Sequence, residues 1–351
     1  MTALFEDGTG FEHHALHVER GPRSGVAYGI AIHAPGADGV AMGGCRMVPY
    51  PTFADALADA LRLSRAMTLK SASVGLRHGG GKCVIAAPQE PLSAERRRDV
   101  MHDVGDLVER LGGRFLTGKD AGTTTDDFLA MAQRTGHVIG LPPEHGGSGD
   151  PSGITAYGVV TAIEAGCREA FGDASLDGRT LSVLGLGTVG GDVARRAAAL
   201  GARLVVSDVD PAKRALADEL GARWVEPREL LLEPVDVVVP CALGGVLTAE
   251  VAAALDCRVV AGAANNQLAG DDVAELLRTR GTLWAPDFIA NAGGLIGVAS
   301  EVDGYDLAEA ERRTAAIGTA LDEVFARARE DGTTTLAAAT AYAHERSAAL
   351  A

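Results

Sequence analysis

Two lysines and an aspartate in the first half of the chain have the types and surroundings that proton transfer requires. Lys70 stands in "AMTLKSA" and Lys82 in "RHGGGKCVIAA", both among largely small or apolar neighbours. Asp120 stands in "TGKDAGT", a glycine-flanked loop. A lysine held in low-polarity surroundings gives up its proton more readily and serves as a base near neutral pH. Taken singly, each lysine reads as a solvated surface charge, and only its pairing with Asp120 raises the chemical reading. Gly79–Gly81 bring the backbone close to something small. They are not a Walker A loop, which would need glycine where Leu76 stands and serine or threonine where Cys83 stands.

The second half carries a different chemistry. "TLSVLGLGTVGGDVARRAAALGARLVVSD" places Gly185, Gly187, Thr188, Val189 and Gly190 between an apolar strand and a helix, with Asp208 closing the next strand. In a dinucleotide fold the first glycine makes the turn and the second admits the pyrophosphate. The third lets helix pack on strand. The helix N-terminus then offers N–H groups to the phosphates. Asp208 accepts from the ribose 2′-hydroxyl and repels a 2′-phosphate, which favours NAD over NADP. Ligands of open α/β sheets sit at the carboxyl ends of the strands. The next such ends carry Cys241 and Ala242, then Ala263, Asn265 and Asn266, then Pro286-Asp287, with Asn291 close behind.

These groups need elements to hold them. Short strands are expected at Ala27–Ile32 and Val40–Met42, the latter running into a turn at Gly43-Gly44. Thr52 and Asp55 have capping-box spacing and open a helix that ends near Met67, before Lys70. Glycines 79–81 feed a strand at Cys83–Ala87, and Ser93–Leu111 forms a second amphipathic helix. "PPEHGGSGDPSG" is the richest Pro/Gly/Ser stretch and marks a domain boundary. Beyond it, apolar bursts near 181–184, 203–206, 235–239, 258–261 and 282–285 alternate with helical text, the pattern of a doubly wound parallel sheet. The expected organisation is α/β. An N-terminal substrate and oligomerisation domain covers residues 1–145, with a helix over 325–351 packing back on it. A Rossmann NAD domain covers residues 146–324, and the cleft lies between the two.

The bulk properties agree. The 351 residues suit two domains, and 47% hydrophobic with 23% charged residues is a globular composition. A net charge of −15 disfavours nucleic acid and anionic membrane as partners. The five cysteines show neither CxxC nor zinc-ligand spacing and read as reduced thiols, so no metal is expected. With Glu6, Asp7 and Glu12 early, the N-terminus lacks the order of a signal peptide, and a cytoplasmic protein is expected.

The ordered strings "MGGCRM", "MTLK", "GGGK", "TGKDAGT", "GDPSGITAYGV", "GLGTVG", "PCALGG", "GAANNQL" and "APDFIANAGG" strongly resemble the glutamate/leucine/phenylalanine/valine dehydrogenase family, from about Gly43 to Gly304. The resemblance implies reversible NAD-dependent oxidative deamination of an L-amino acid to its 2-oxo acid and ammonia, by a homo-oligomer. It makes Lys70 the group that binds the substrate carboxylate. Lys82 becomes the catalytic lysine that activates water, and Asp120 the carboxylate that exchanges protons with the amino group. It places Asn265 against substrate and cofactor and Thr155 against the nicotinamide carboxamide. Met42, Gly43, Gly44, Gly118, Leu295 and Val298 then line the substrate site.

Members acting on glutamate carry lysine where Met42 stands. A substrate carboxylate buried beside a thioether would be unpaired and costly, so glutamate is excluded. "GCRM" followed by Pro49-Tyr50, Gly118 and Leu295 look more like phenylalanine dehydrogenases than leucine dehydrogenases. The expected substrate leans to phenylalanine, with the branched-chain amino acids as the alternative. One methylene of pocket difference is worth only about 1–3 kcal/mol. Two rivals remain: a hydroxy-acid dehydrogenase sharing the cofactor half, and a non-catalytic NAD-binding protein.

Overall fold

The computed structural model describes residues 12–350; Glu6 and Asp7, two of the early acidic residues at the N-terminus, lie outside them. Two compact units are present. The first contains the described residues up to Asp150, the short segment Glu301–Tyr305 and the chain from His344 onward. The second contains Pro151–Ser300 and Asp306–Ala343.

The first unit is built on a five-stranded sheet. Its strands are β1 (Ala15–Arg20), β2 (Ala27–Ala34), β3 (Ala41–Val48), β4 (Gly79–Ala86) and β5 (Phe115–Lys119), in the order β1-β2-β4-β3-β5. β1, β2 and β4 run antiparallel in turn, while β3 is parallel to both β4 and β5. Side chains alternate across a sheet with period two. One face of β3 and β4 presents Cys45, Met47, Cys83 and Ile85 to a core shared with helices α2 (Ala94–Arg110) and α3 (Thr125–Met131). Helix α1 (Phe53–Ser73) covers the other face through Ala56 and Ala60, packed on Ala31 and Val84. Lys82 belongs to this second face. The Cys45 thiol, hydrogen-bonded to Cys83 and buried, is held well above its ordinary pKa.

Three local expectations change. Gly43 and Gly44 do not turn; they continue β3. A Cβ on Gly43 would lie 1.7 Å from the Gly81 carbonyl oxygen, so two glycine backbones meet here where side chains cannot. Gly79–Gly81 likewise lie within β4 rather than before it. Helix α1 is capped by the Thr52–Asp55 box as expected but runs on to Ser73, which puts Lys70 in its last turn. It continues because Thr68, Ser71, Ala72 and Ser73 are buried beneath it, and it stops where Gly75 adopts φ +71°. β1 had no expected counterpart, since its burial pattern on the sheet edge lacks clean alternation.

The second unit is a six-stranded, all-parallel sheet. Its strands are β6 (Thr180–Leu184), β7 (Arg203–Ser207), β8 (Arg223–Trp224), β9 (Val237–Pro240), β10 (Val259–Val260) and β11 (Leu283–Trp284), in the order β11-β10-β9-β6-β7-β8. The chain winds outward one way from β6 and the other way from β9, so the switch point of a doubly wound sheet lies between these two strands. Helices α4 (Ser152–Phe171), α5 (Thr188–Ala199) and α6 (Gly293–Ala299) carry the residues expected to meet cofactor and substrate. The tail is not one helix over 325–351. It forms Ala316–Glu330 and Thr335–Leu350, separated at Gly332 with φ +64°. The first of these lies against α4, with Ile317 packed on Gly158, so only the residues from His344 onward join the first unit. Among the described residues no helix is long and apolar enough to cross a membrane.

A pH dependence of stability follows from three histidines of the first unit. Burial pushes His33 down to about 4, and burial also lowers His13 and His17 below the ordinary 6.5. Near pH 5 the unfolded chain binds protons that the folded chain does not, so stability is full above pH 6.5 and is lost as pH falls towards 4. His33 contributes about 1–2 kcal/mol after solvent screening at a half-buried ring is allowed for. Scanning calorimetry across this window should show the thermal midpoint falling steadily; a midpoint constant down to pH 4 would mean that these rings are charged in the fold.

Candidate active site

Lys82 lies on β4, facing α1, with 5% of its surface exposed. Its Nζ is 2.7 Å from Oδ2 of Asp120, the first residue after β5. The pairing of β3 with β4 keeps one offset from Met42–Gly80 to Cys45–Cys83, which sets Gly44 beside Lys82, and Gly44 in turn pairs with Gly118. A Cβ on Gly44 would fall 2.8 Å from the Asp120 Cβ and 3.2 Å from Lys82 Nζ. Glycine is therefore required at 44 to leave room for the ion pair. Gly118 is different: a Cβ there meets only Ile139, at 3.4 Å, an ordinary contact.

The triple glycine brings the backbone close to this protein's own elements. At Gly79 a Cβ would strike the Ala34 carbonyl at 1.8 Å, and at Gly81 the Phe115 ring at 2.6 Å. At Gly80 it would strike the Thr68 amide nitrogen at 2.1 Å and the Ser64 carbonyl at 2.4 Å. Gly80 thus lets α1 lie directly on β4, which fixes the helix that carries Lys70. Met42, paired with Gly80, is 1% exposed.

Burial raises the Asp120 carboxyl, but the Lys82 ammonium and the Arg46 guanidinium outweigh it and hold the group below the usual carboxylate range. The second cation was not foreseen. Lys119, next in sequence, donates instead to Thr125 Oγ1 on the exposed side. Arg46 on β3 reaches Asp120 at 2.9 Å. The signal for it was present in the period-two alternation, which puts residues 44 and 46 on the Lys82 face. Arg77 and His78, which precede the triple glycine, share an acidic partner. Arg77 bridges Asp38 and Asp303, and His78 Nδ1 lies 2.6 Å from the same Asp38 carboxylate.

In the second unit the glycine motif follows β6 at the switch point. Gly185 has φ +97° and packs on Ala242, where a Cβ would lie 2.9 Å from the Ala242 Cβ. Gly187 caps α5, and a Cβ there would meet nothing within 4 Å, leaving its backbone open to a phosphate. At Gly190 a Cβ would lie 1.9 Å from the Gly185 carbonyl and 2.8 Å from the Cys241 Cβ, so helix and strand touch through it. Thr188 and Val189 form the first turn of α5. Asp208 follows β7, with Oδ2 accepting from the Leu186 amide at 2.6 Å and Oδ1 from the Asp210 amide at 2.9 Å. Turn, open cradle, tight packing and an oriented carboxylate are the features that a dinucleotide requires, and they fit NAD.

Beyond β10, Asn291 donates from Nδ2 to the Ala263 carbonyl at 3.1 Å and to Asn265 Oδ1 at 2.8 Å. A carbonyl only accepts, so the Asn291 amide orientation is settled. The amide of Asn265, exposed at the loop surface, therefore presents Nδ2 outward. Asn266 beside it adopts φ +52°. The loop is anchored by Gln267, fully buried, which donates to the Gly262 and Ala264 carbonyls and accepts from Trp284 Nε1. The sequence singled out Asn265 and Asn291 but not this glutamine. Thr155 on α4 donates to the Pro151 carbonyl and sits where a Cβ on Gly294 would approach to 2.7 Å. Leu295 and Val298 are half-buried, one turn apart on α6.

Comparison with known proteins accords with this geometry. The profile described as Glutamate/Leucine/Phenylalanine/Valine dehydrogenase matches residues 210–350, and the one described as Glu/Leu/Phe/Val dehydrogenase, dimerisation domain, matches residues 15–137. A third, D-isomer specific 2-hydroxyacid dehydrogenase, NAD binding domain, matches residues 161–245, around the glycine motif. The chain is 37% identical to leucine dehydrogenase of Thermoactinomyces intermedius, over 98% of this chain and 93% of that one. It is 39% identical to valine dehydrogenase of Streptomyces albus, over 99% and 95%. The crystal structure of L-tryptophan dehydrogenase from Nostoc punctiforme superimposes with a TM-score of 0.85 at 37% identity, covering 95% of this chain and 96% of that one.

Proposed function

Because the chain belongs to the glutamate/leucine/phenylalanine/valine dehydrogenase family, we propose that it catalyses the reversible NAD-dependent oxidative deamination of a hydrophobic L-amino acid, with branched-chain side chains preferred. The observation that carries the chemistry is the Lys82–Asp120 pair, 2.7 Å apart and roofed by Gly44. In this reading Gly185, Gly187, Gly190 and Asp208, with Cys241, Ala242 and Ala263 at the neighbouring strand ends, would hold NAD, which when bound would supply the acceptor for the substrate Cα hydride. Lys70 binds the substrate carboxylate. Asp120 takes a proton from the amino group. Lys82 activates the water that attacks the resulting imine, and ammonia leaves. Asn265, oriented by Asn291, donates its amide to the bound ligands, and Thr155 serves the nicotinamide. The active protein is a homo-oligomer, in keeping with the dimerisation profile over residues 15–137.

For the side chain, a buried thioether at Met42 cannot pair a second carboxylate, which argues against glutamate. The leucine and valine dehydrogenases among the relatives favour a branched aliphatic substrate over the phenylalanine lean of the sequence. An aromatic substrate is the second reading, supported by Gly118 and by the likeness to the tryptophan enzyme. The test is NADH oxidation with ammonia and a panel comprising the 2-oxo acids of leucine, valine, phenylalanine, tryptophan and glutamate. The aliphatic branched acids should be fastest and 2-oxoglutarate inert. Faster turnover of the aromatic acids would replace the first reading with the second. NADH oxidation that needs no ammonia would sink both. Gly118→Ala should fold normally, since its Cβ meets only Ile139 at 3.4 Å. It should shift the leucine-to-phenylalanine ratio about tenfold towards leucine.

A further inference from the structure

Asp120 is gripped twice on one oxygen. Lys82 Nζ donates to Oδ2 at 2.7 Å, and Arg46 Nε donates to the same Oδ2 at 2.9 Å. The other edge of the Arg46 guanidinium reaches away from the pair, with Nη1 donating to Asp59 Oδ2 on α1 at 3.0 Å. Asp59 is held in turn by the Tyr50 hydroxyl at 2.8 Å and by Arg62 Nη2 at 2.6 Å. Asp59 is 15% exposed and Arg46 24%, whereas Arg62 is 61% exposed. The planar fork of arginine suits such a bridge, because its donors are fixed relative to one another. The Asp120 amide also donates to Thr123 Oγ1 at 3.0 Å, so backbone and carboxylate are both restrained.

We propose that Arg46 is a positioning residue for Asp120, clamped between Asp120 and Asp59 so that the carboxylate stays ionised and fixed against Lys82. The inference rests on the dehydrogenase reading, and Arg46 acts only through Asp120. The groups around Asp120 set the sign of the test. Lys82 on β4 and Arg46 on β3 favour the carboxylate, while Asp59 tempers Arg46 from α1 and is itself shared with Tyr50 and Arg62. The Cys45 thiol lies on the opposite face of the sheet. Lys119 turns to Thr125, and Asp127 on α3 is taken up by Arg97.

The experiment is the pH profile of kcat/KM for ammonia-dependent NADH oxidation by the full chain. In Arg46→Gln one of two cations is gone, and the acid limb should move up by about one pH unit. In Asp59→Asn the guanidinium keeps a single carboxylate partner, and the limb should move down. Arg46→Lys keeps the charge without the bridge. Its limb should stay near that of the unaltered protein, while kcat falls about tenfold to a hundredfold from lost positioning. An unmoved limb in Arg46→Gln, or shifts of the same sign in Arg46→Gln and Asp59→Asn, would overturn the proposal. Should Arg46→Gln fail to fold, Asp59→Asn and Arg46→Lys still decide it. If the unaltered protein oxidises no NADH with any 2-oxo acid, the dehydrogenase reading fails instead. Titration of the Asp120 carboxyl carbon by NMR in the same variants then tests the clamp without turnover, and it must move in the same directions.

Discussion

Replacing Lys82 with alanine should reduce ammonia-dependent turnover by about 10²–10⁴-fold, the range over which a positioned acid–base group acts. The loss should appear in kcat with every accepted 2-oxo acid, since Lys82 is tied to Asp120 and not to the pocket that holds the side chain. NADH binding, read by fluorescence, should persist, because the glycine motif and Asp208 lie in the other unit. The circular dichroism spectrum should also persist. Lys82 is 5% exposed, so alanine leaves a void, but it also leaves Asp120 a cation in Arg46, which limits the cost of an unpaired carboxylate. Unchanged turnover with intact NADH binding would remove Lys82 from the chemistry and favour a protein that holds NAD for another purpose.

The second large effect is expected at Gly80. A single methyl there would lie 2.1 Å from the Thr68 amide nitrogen and 2.4 Å from the Ser64 carbonyl. Both obstacles are backbone, so no rotamer relieves the clash and α1 must move off β4. The expected cost is about 1–3 kcal/mol of stability, together with loss of activity, because Lys70 rides on the same helix. Gly118→Ala is the matched control, with a methyl against Ile139 at 3.4 Å. Equal thermal midpoints for Gly80→Ala and Gly118→Ala would show that α1 is not seated on Gly80 as described.

The sequence was most informative where function depends on neighbours along the chain. The strand, glycine turn, helix and Asp208 proposed to hold the cofactor are one continuous segment, with Gly185 at the turn and Gly190 at the close helix–strand contact that their positions predict. It was less informative where function depends on approach between distant segments. Gly43-Gly44 reads as a turn because glycine usually breaks a strand. Only the contact with Gly81 shows why glycine continues one here. Helix α1 appeared to end near Met67 because the text after it turns polar, yet Thr68, Ser71 and Ser73 are buried under it. Arg46 stands 74 residues from Asp120, and no local pattern joins them. Substrate preference suffered similarly, since single differences at 42, 45 and 118 are each worth little against the whole of a pocket.

The alternation of β4 has a consequence for insertions and deletions. Lys82 faces α1, while Cys83, its neighbour, faces the core that holds Phe115 and Val104. Adding or deleting one residue between Gly79 and Lys82 would exchange the two faces at a stroke, burying an ammonium among aromatic and aliphatic side chains and, for a deletion, presenting a thiol to Asp120. No graded compromise exists, because a strand has only two sides. The count of residues in this stretch is therefore as constrained as their identity, whereas the exposed turn around Gln89–Pro91, outside any strand or helix, can change length without moving the lysine.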